Sequence, residues 1–352
     1  GDTIQESDIQ SYFVWIPKYK YKLWNVDTPS EGVHEIDIVF DETDTTDIEG
    51  VSCKTPLVSG ESGNCNNGEY MTHPAFISMN TNGFWVGKFE TGYKGATSTA
   101  AAQVNANDTS KVIIKPNVYS WRYINVYNAF LNSYNYKRNL ESHMMKNTEW
   151  GAVAYLSHSG FGTNKKLNVN NNSSFKTGYS TLSNISQQTI PGTYGDGSTY
   201  NDTYNTDTGY LASTSENISG IYDMSGGAWE YVSSYITGKN GSSGFSTSTI
   251  SNYDSKYFDV YNVSSTVSTY QYRILGDATG EMGPFKIFSD GDNSSRYHSG
   301  WYNSLSNFVE SSNPWFIRGG LYYNGILSES FFFNRYTGVN NADGTFRIVL
   351  AP

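Results

Sequence analysis

Two cysteines in 352 residues set the first limit on this chain. So few exclude a disulfide framework or cysteine-rich metal sites as the basis of the fold. Cys53 and Cys65 stand close together in VSCKTPLVSGESGNC. Two readings are open: a disulfide closing that Gly/Ser/Pro loop in an extracellular setting, which is favoured, or two free thiols. Histidine is nearly as scarce. His34, His73, His143, His158 and His298 are the whole set, and none are paired at an H-x-x-x-H spacing. No glycine-rich loop stands between a strand and a helix to cradle phosphate, and no G-x-S-x-G elbow occurs. Carboxylates are many, but no pair is singled out for glycosidase chemistry. His73 in MTHPAF and His158 in LSHSG read as structural side chains.

Basic charge is also short. Lys and Arg number 23 against 33 Asp and Glu, for a net charge of −10. With no basic stripe the chain is a poor partner for nucleic acid and for an anionic membrane surface. No apolar run reaches the length of a membrane span, so no insertion is expected of these residues. The abrupt start at Gly1-Asp2-Thr3 reads as a chain whose targeting or anchoring segment has been removed. Two acidic stretches invite a calcium reading. DETDTTDIEG (41–50) lacks a regular ligand spacing and reads as a solvated loop. Asp290, Asp292 and Asn293 in SDGDNSS lack a closing Glu and read as a turn.

What the chain has in abundance is tyrosine, 29 residues, together with 18 Phe and loops full of Asn, Ser, Thr and Gly. The same bias marks antibody paratopes, where Tyr supplies contact area at low entropic cost. It also marks loop-rich extracellular β proteins. SYFVWIPKYKYKLWNV (11–26) alternates apolar and basic residues as a strand or hairpin arm, with Pro17 placing part of it at a sheet edge. HEIDIVF (34–40), GFWVGKFETG (83–92), KYFDVY, YQYRIL and WFIRGG read as further strands. Helical spacing predicts a helix over 120–134, capped by Ser120, and a second over 145–159, capped by Asn147 or Thr148. No repeat of fixed period appears. Two helices among short antiparallel strands and long loops argue an α+β fold. A β-rich extension is expected over 1–68 and the main domain over 69–352.

The segment 318–350, RGGLYYNGILSESFFFNRYTGVNNADGTFRIVL, divides into two kinds of sequence. Its end, TFRIVL, reads as one buried strand with Phe346, Ile348 and Leu350 on one face. Its middle has no period. Three successive Phe cannot share one strand face, so Phe332 is expected inside and Phe331 and Phe333 outside.

Several motifs follow one another in order: GFWVGKFETG, VYSWRYINVYNAF, KNTEWGAVAYL, GIYDMSGGAWEYV, IRGG and GTFRIVL. Over roughly residues 70–352 this order resembles the formylglycine-generating-enzyme-like branch of the C-type lectin fold. The resemblance implies that Trp229 plugs the core and that Glu230 is a buried acceptor for Arg318, or else for Arg347. In calcium-binding members, the positions matching Gly226, Ala228 and Glu230 hold the ion. Gly227 stands where those members carry Asn, which removes a polar side chain. No other cofactor is implied. Catalytic members need a cysteine pair between Arg-Gly-Gly and Gly-Phe-Arg, or a three-His iron site, and this sequence has neither. The resemblance therefore implies a fold without the reaction.

A non-catalytic branch of the same fold comprises the variable proteins of diversity-generating retroelements, including phage receptor-binding and bacterial surface proteins. They end in a similar Arg-Gly-Gly … Phe-Arg frame, and the residues between form the binding surface. MMKNTEWGAVAYLSHS and ASTSENISGIYDMSGGAWEYV also resemble surface proteins of gut bacteria and their phages. On this reading Arg318, Gly319, Gly320, Phe346 and Arg347 are structural. Tyr322, Tyr323, Ile326, Leu327, Phe331, Phe333, Arg335 and Tyr336 form the ligand-binding patch. Clustered aromatics suit a protein ligand or cell-surface receptor better than a glycan alone. The expected place is the cell or virion surface. The alternatives are a pilin or surface-layer subunit that assembles through strand 11–26, and an enzyme of the same fold with an unrecognised site.

Overall fold

The computed structural model describes residues 3–26, 32–40, 66–168, 204–262, 273–282, 301–321 and 328–352. Along the chain run β1 (Phe13–Pro17), β2 (Tyr19–Lys22), β3 (Ile38–Phe40), β4 (Tyr70–Thr72), α1 (Pro74–Met79), β5 (Gly83–Gly87) and β6 (Gly92–Tyr93). Next come β7 (Val112–Ile113), α2 (Val126–Tyr136), β8 (His143–Met144), α3 (Asn147–Ser157), β9 (Trp229–Ile236), α4 (Thr247–Ile250) and β10 (Asp259–Tyr261). The chain closes with β11 (Trp315–Arg318), β12 (Phe333–Tyr336), β13 (Gly344–Phe346) and β14 (Ile348–Leu350). The result is a mixed α and β fold with few helices and small sheets.

One sheet has the order β1-β5-β14-β8, so strands from both ends of the chain lie in it. Alternation works as expected in its first pair. Ile16, Phe84 and Val86 face the core, while Trp15 and Trp85, directly opposite each other, face out. Pro17 lies on the edge strand, as its missing N–H requires. A second sheet has the order β10-β9-β11-β12, with β13 also on β9. Here the expectation of antiparallel strands needs correction, because β10 and β13 both pair with β9 in parallel. β2 lies between β3 and β4 in a third small sheet.

TFRIVL is not one strand. The chain leaves β9 after Phe346 and joins β5 and β8 from Ile348, so Arg347 sits at the crossing between sheets. Every residue from Thr345 to Val349 is buried, so alternation carries no information there. The helix expected over 120–134 begins later, at Val126. Asn125 caps it by accepting from the Asn128 N–H at 2.9 Å. Residues 120–125 are instead irregular chain, held by bridges from Ser120 to Gly92, Arg122 to Gln103 and Ile124 to Asn341. In α3 neither Asn147 nor Thr148 is the cap. That position belongs to Lys146, whose backbone N–H donates to the Glu149 carboxylate at 2.8 Å. Helix α1 goes beyond the sequence expectation. Its signal was present in His73-Pro74, a capping side chain followed by proline in the first turn.

Strand β2 lies in the same core as the later residues. The Tyr19 hydroxyl donates to Ala152 O at 2.7 Å, and Tyr21 donates to Glu281 Oε1 at 3.1 Å. Trp24 Nε1–H donates to Glu281 O at 3.0 Å. The expected boundary at 68/69 therefore does not separate two cores.

Candidate ligand-binding site

The site is built from its frame inward. Strand β11 delivers Arg318, and the chain then turns through Gly319 and Gly320, with φ of 83° and 84°. Only glycine adopts such angles freely. Space demands it too, since a Cβ on Gly320 would lie 2.6 Å from Ser328 Cα. That close approach brings Leu321 and Ser328 together, and Ser328 Oγ donates to Leu321 O at 3.1 Å. Leu321 and Ser328, the described residues that flank 322–327, thus lie side by side. Tyr322, Tyr323, Ile326 and Leu327 lie outside the described residues.

Phe331, Phe332 and Phe333 are each only 2% exposed. Phe332 fits the expectation, whereas the exposure expected of Phe331 and Phe333 is wrong. The strand begins only at Phe333, and the Phe332 N–H closes a turn onto Glu329 O at 3.0 Å. Alternation therefore never applied across the triplet. Phe331 packs against Tyr155, His158, Trp301 and Tyr302, and Phe333 against Phe308 and Phe316. Both are anchors.

Arg335 and Tyr336 are half-buried. Arg335 Nη1 donates to Phe308 O at 3.0 Å, and Nη2 pairs with Glu310 at 3.2 Å. The Tyr336 ring lies 5.2 Å from that of Trp229, and its hydroxyl accepts from Asn341 Nδ2 at 3.0 Å. Trp229 is therefore not a plug deep in the core; it sits half-buried at this rim. Tyr123 joins the group, 43% exposed, with its N–H donating to Asn341 O at 2.9 Å. Sequence reasoning missed Tyr123 and Asn341. Tyr123 takes a left-handed φ of 56°, which no local pattern announces.

Below the frame lies a buried network of charge. Arg347 takes Glu230 as its partner, with Nε on Oε2 at 3.0 Å and Nη2 on Oε1. Its Nη1 donates to Gly87 O at 2.7 Å. Of the two expected partners for Glu230, Arg347 is the one used. Arg318 turns to Asn147 Oδ1, Ala278 O and Ser330 O, over the Trp150 ring. The calcium reading of Gly226, Ala228 and Glu230 does not fit these partners. Both Glu230 oxygens are engaged by a cation. Separately, the Ala228 N–H donates to Glu90 Oε1 at 2.9 Å. Among the described residues, no group of three or more His, Cys, Asp or Glu is arranged to hold a metal ion. Gly227 has another explanation. Its φ is 77°, and a Cβ there would lie 2.2 Å from Glu90 Oε1. Glycine makes room for the Glu90 carboxyl, which also accepts from Ser120 Oγ at 2.5 Å.

His73 is buried, bonded through Nε2 to Gly276 O at 2.9 Å, and accepts from the Ala75 N–H. Burial pushes its pKa down to about 3, which suits a neutral structural imidazole. His158 is buried against the Tyr302 hydroxyl, and burial lowers its pKa as well. Cys53, Cys65, the 41–50 loop and the Asp290, Asp292 and Asn293 cluster lie outside the described residues.

No family model and no curated protein matches the chain. Among solved structures it is similar to one titled Major Tropism Determinant U1 Variant, at 11% identity and a TM-score of 0.35. The likeness covers 95% of this chain and 72% of that one. A similarity at this level decides neither fold nor function.

The buried carboxyls predict a pH dependence. Burial, with Asp223 and Glu230 nearby, raises Glu90 well above its ordinary range. Burial also lifts Glu230 to about 7, against the pull of Arg347. A carboxyl whose pKa is raised by folding contributes stability fully below its unfolded value, about 4.5. That contribution is lost as pH rises through the folded value. Glu90→Gln keeps an acceptor for Ala228 and adds no charge. Thermal unfolding from pH 5 to 8 should show the variant losing less stability with rising pH than the parent, and matching or exceeding it at pH 8. Parallel curves would show that Glu90 folds ionised.

Proposed function

We propose that this chain is a non-catalytic ligand-binding protein of the formylglycine-generating-enzyme-like C-type lectin type, displayed on a cell or virion surface. Its binding segment runs from Leu321 toward Tyr336, and its ligand is a protein or cell-surface receptor. The observation that carries the reading is the glycine seat. Gly319 and Gly320 pack on Trp150 and Ser328, fixing both ends of a Tyr- and Leu-bearing segment on a buried frame. Ordering the ends in advance lowers the entropic cost of binding. Aromatic side chains there supply the contact area that hot spots use. The half-exposed Tyr123, Trp229 and Tyr336 around Asn341 extend the rim.

The retroelement part of the proposal is tested in the gene. A near-copy of the 3′ coding segment beside a reverse transcriptase is expected, differing at template adenines that fall on codons between 321 and 341. Absence of such a copy leaves a binder of fixed specificity. The division of labour is tested in the protein. Phe331→Ala should cost about 3–5 kcal/mol of stability, the range for a buried aromatic. Tyr322→Ala and Tyr323→Ala should leave the thermal midpoint unchanged. Comparable losses in all three would make the segment part of the core.

One observation favours the structural-subunit reading. Trp15 and Trp85 are 39% and 40% exposed, with rings 5.2 Å apart, beside the edge strand β1. Large exposed aromatics beside an open edge invite association. If that reading holds, sedimentation velocity shows assembly that Trp15→Lys abolishes. A monomer at all concentrations ends it.

A further inference from the structure

Strand β1 is one edge of its sheet, with β5 as its partner. The bonds at its two ends show which of its backbone groups are open. The Lys88 N–H donates to Tyr12 O and the Lys18 N–H to Asn82 O, each at 2.9 Å. Bonded pairs alternate along an antiparallel ladder, so Val14 and Ile16 also turn their backbone groups toward β5. Before the strand, Ile114 continues on that side, bonding Gln10 O and the Tyr12 N–H. Ser11, Phe13 and Trp15 therefore turn their N–H and C=O groups away from β5. Among the described residues none bonds to those groups. Pro17 ends the run, because it offers only a carbonyl.

Proteins ordinarily blunt such an edge. Here ordered aromatic rings stand beside it. The Trp15 ring lies over Gly83, where a Cβ would collide with it, and 5.2 Å from the Trp85 ring. Phe13, on the same face, packs against Tyr136, whose hydroxyl meets Ser11 Oγ at 2.7 Å. Rings held in advance lose little entropy when a partner covers them.

We propose that the β1 edge pairs with the β1 edge of a second copy, antiparallel about a two-fold axis at Phe13. With the axis there, Phe13 faces its own counterpart and Ser11 of one copy faces Trp15 of the other, so every open N–H meets a C=O. Moving the axis toward Trp15 sets Pro17 against Ser11 or Phe13 and leaves a carbonyl without a donor. Charge selects the direction. Asp8 is exposed before the strand, and Lys18 follows it half-buried. Antiparallel pairing brings Lys18 of each copy to the end where Asp8 of the other lies, whereas parallel pairing would set like beside like. A pair of identical edges joined this way is isologous and closes at two copies. That separates it from the open-ended growth of a structural subunit, and it does not depend on the ligand-binding reading.

Sedimentation velocity of the whole chain at micromolar concentrations should show a monomer–dimer equilibrium with no larger species. Phe13→Cys should oxidise to a covalent dimer joined at position 13. The Cα atoms of a bonded antiparallel pair lie about 5.5 Å apart, within disulfide reach. The parent chain, which carries Cys53 and Cys65, is the control. Asp8→Lys and Lys18→Asp should each weaken the dimer roughly fivefold, and the two together should restore it, with the thermal midpoint unchanged throughout. A monomer at all concentrations would overturn the pairing and leave the edge to a strand of another protein. Species growing beyond two copies would overturn it in favour of a structural subunit. A dimer that forms no link at position 13, or that neither charge reversal weakens, would overturn the β1 interface. Failure of ligand capture with the dimer intact would count against the binding function alone.

Discussion

The buried ion pair of Arg347 with Glu230 is the interaction on which the two main sheets depend. Glu230 belongs to β9, Arg347 stands between β13 and β14, and the third arm of its guanidinium reaches Gly87 in β5. One side chain thus joins both sheets where the chain crosses from one to the other. Such a pair is weak evidence for stability, because desolvation offsets most of the attraction. Its stronger effect is on register. Any slip of β13 or β14 would strand a charge in a dry core, at a cost of about 3–5 kcal/mol. The crossing at Arg347 is therefore specified by charge where the apolar pattern, buried on both sides, specifies nothing.

The same economy of position explains the glycines. Gly227 curls the chain around the Glu90 carboxyl, and Gly319 and Gly320 let Ser328 approach. Each glycine removes a side chain so that a polar group or a backbone can be placed by something else. The carboxyl network then fills the space beneath the seat, and Trp150 links the two regions by packing near Gly319 and donating to Ser330. A seat built this way owes its shape to buried residues on β9, β11 and α3 and at the crossing between β13 and β14.

Much of this frame was legible in the sequence because its signals are local. Arg-Gly-Gly announces a turn, helical spacing announces α3 though not its cap, and alternation announces β1 and β5. What was not legible depends on distant contacts. The Phe triplet looked like a strand with two exposed rings, but a turn at Glu329–Phe332 removes the strand before alternation can act. Trp121 and Ile124 sit at helical spacing, yet Ser120 is drawn to Glu90 and the helix waits for Asn125. Residues 273–282 read as the end of a strand followed by loop. They form a buried polar turn whose Glu281 receives Tyr21, Tyr155 and the Gly276 N–H. No pattern in RILGDATGEM shows that its acids face tyrosines from three other elements, β2, α3 and β10.

These failures of pattern share a cause that bears on function. Aromatic residues in this chain serve two purposes that composition cannot separate. Phe331 and Phe333 are clamped by other rings, whereas Trp15, Trp85 and Tyr123 face water. What separates them is whether a turn or a strand sets the backbone beneath each ring, which is decided by glycine, by capping and by buried charge. A binding surface can change its side chains without unfolding the protein only if those determinants lie outside it. Here the described determinants flank the 322–327 segment on both sides, at Gly319–Gly320 and at Ser328–Phe333. The approach of Ser328 to Leu321 is therefore set by the frame itself. On the function proposed above, a partner would be met between two stretches whose backbone is already held by rings, glycines and buried charge.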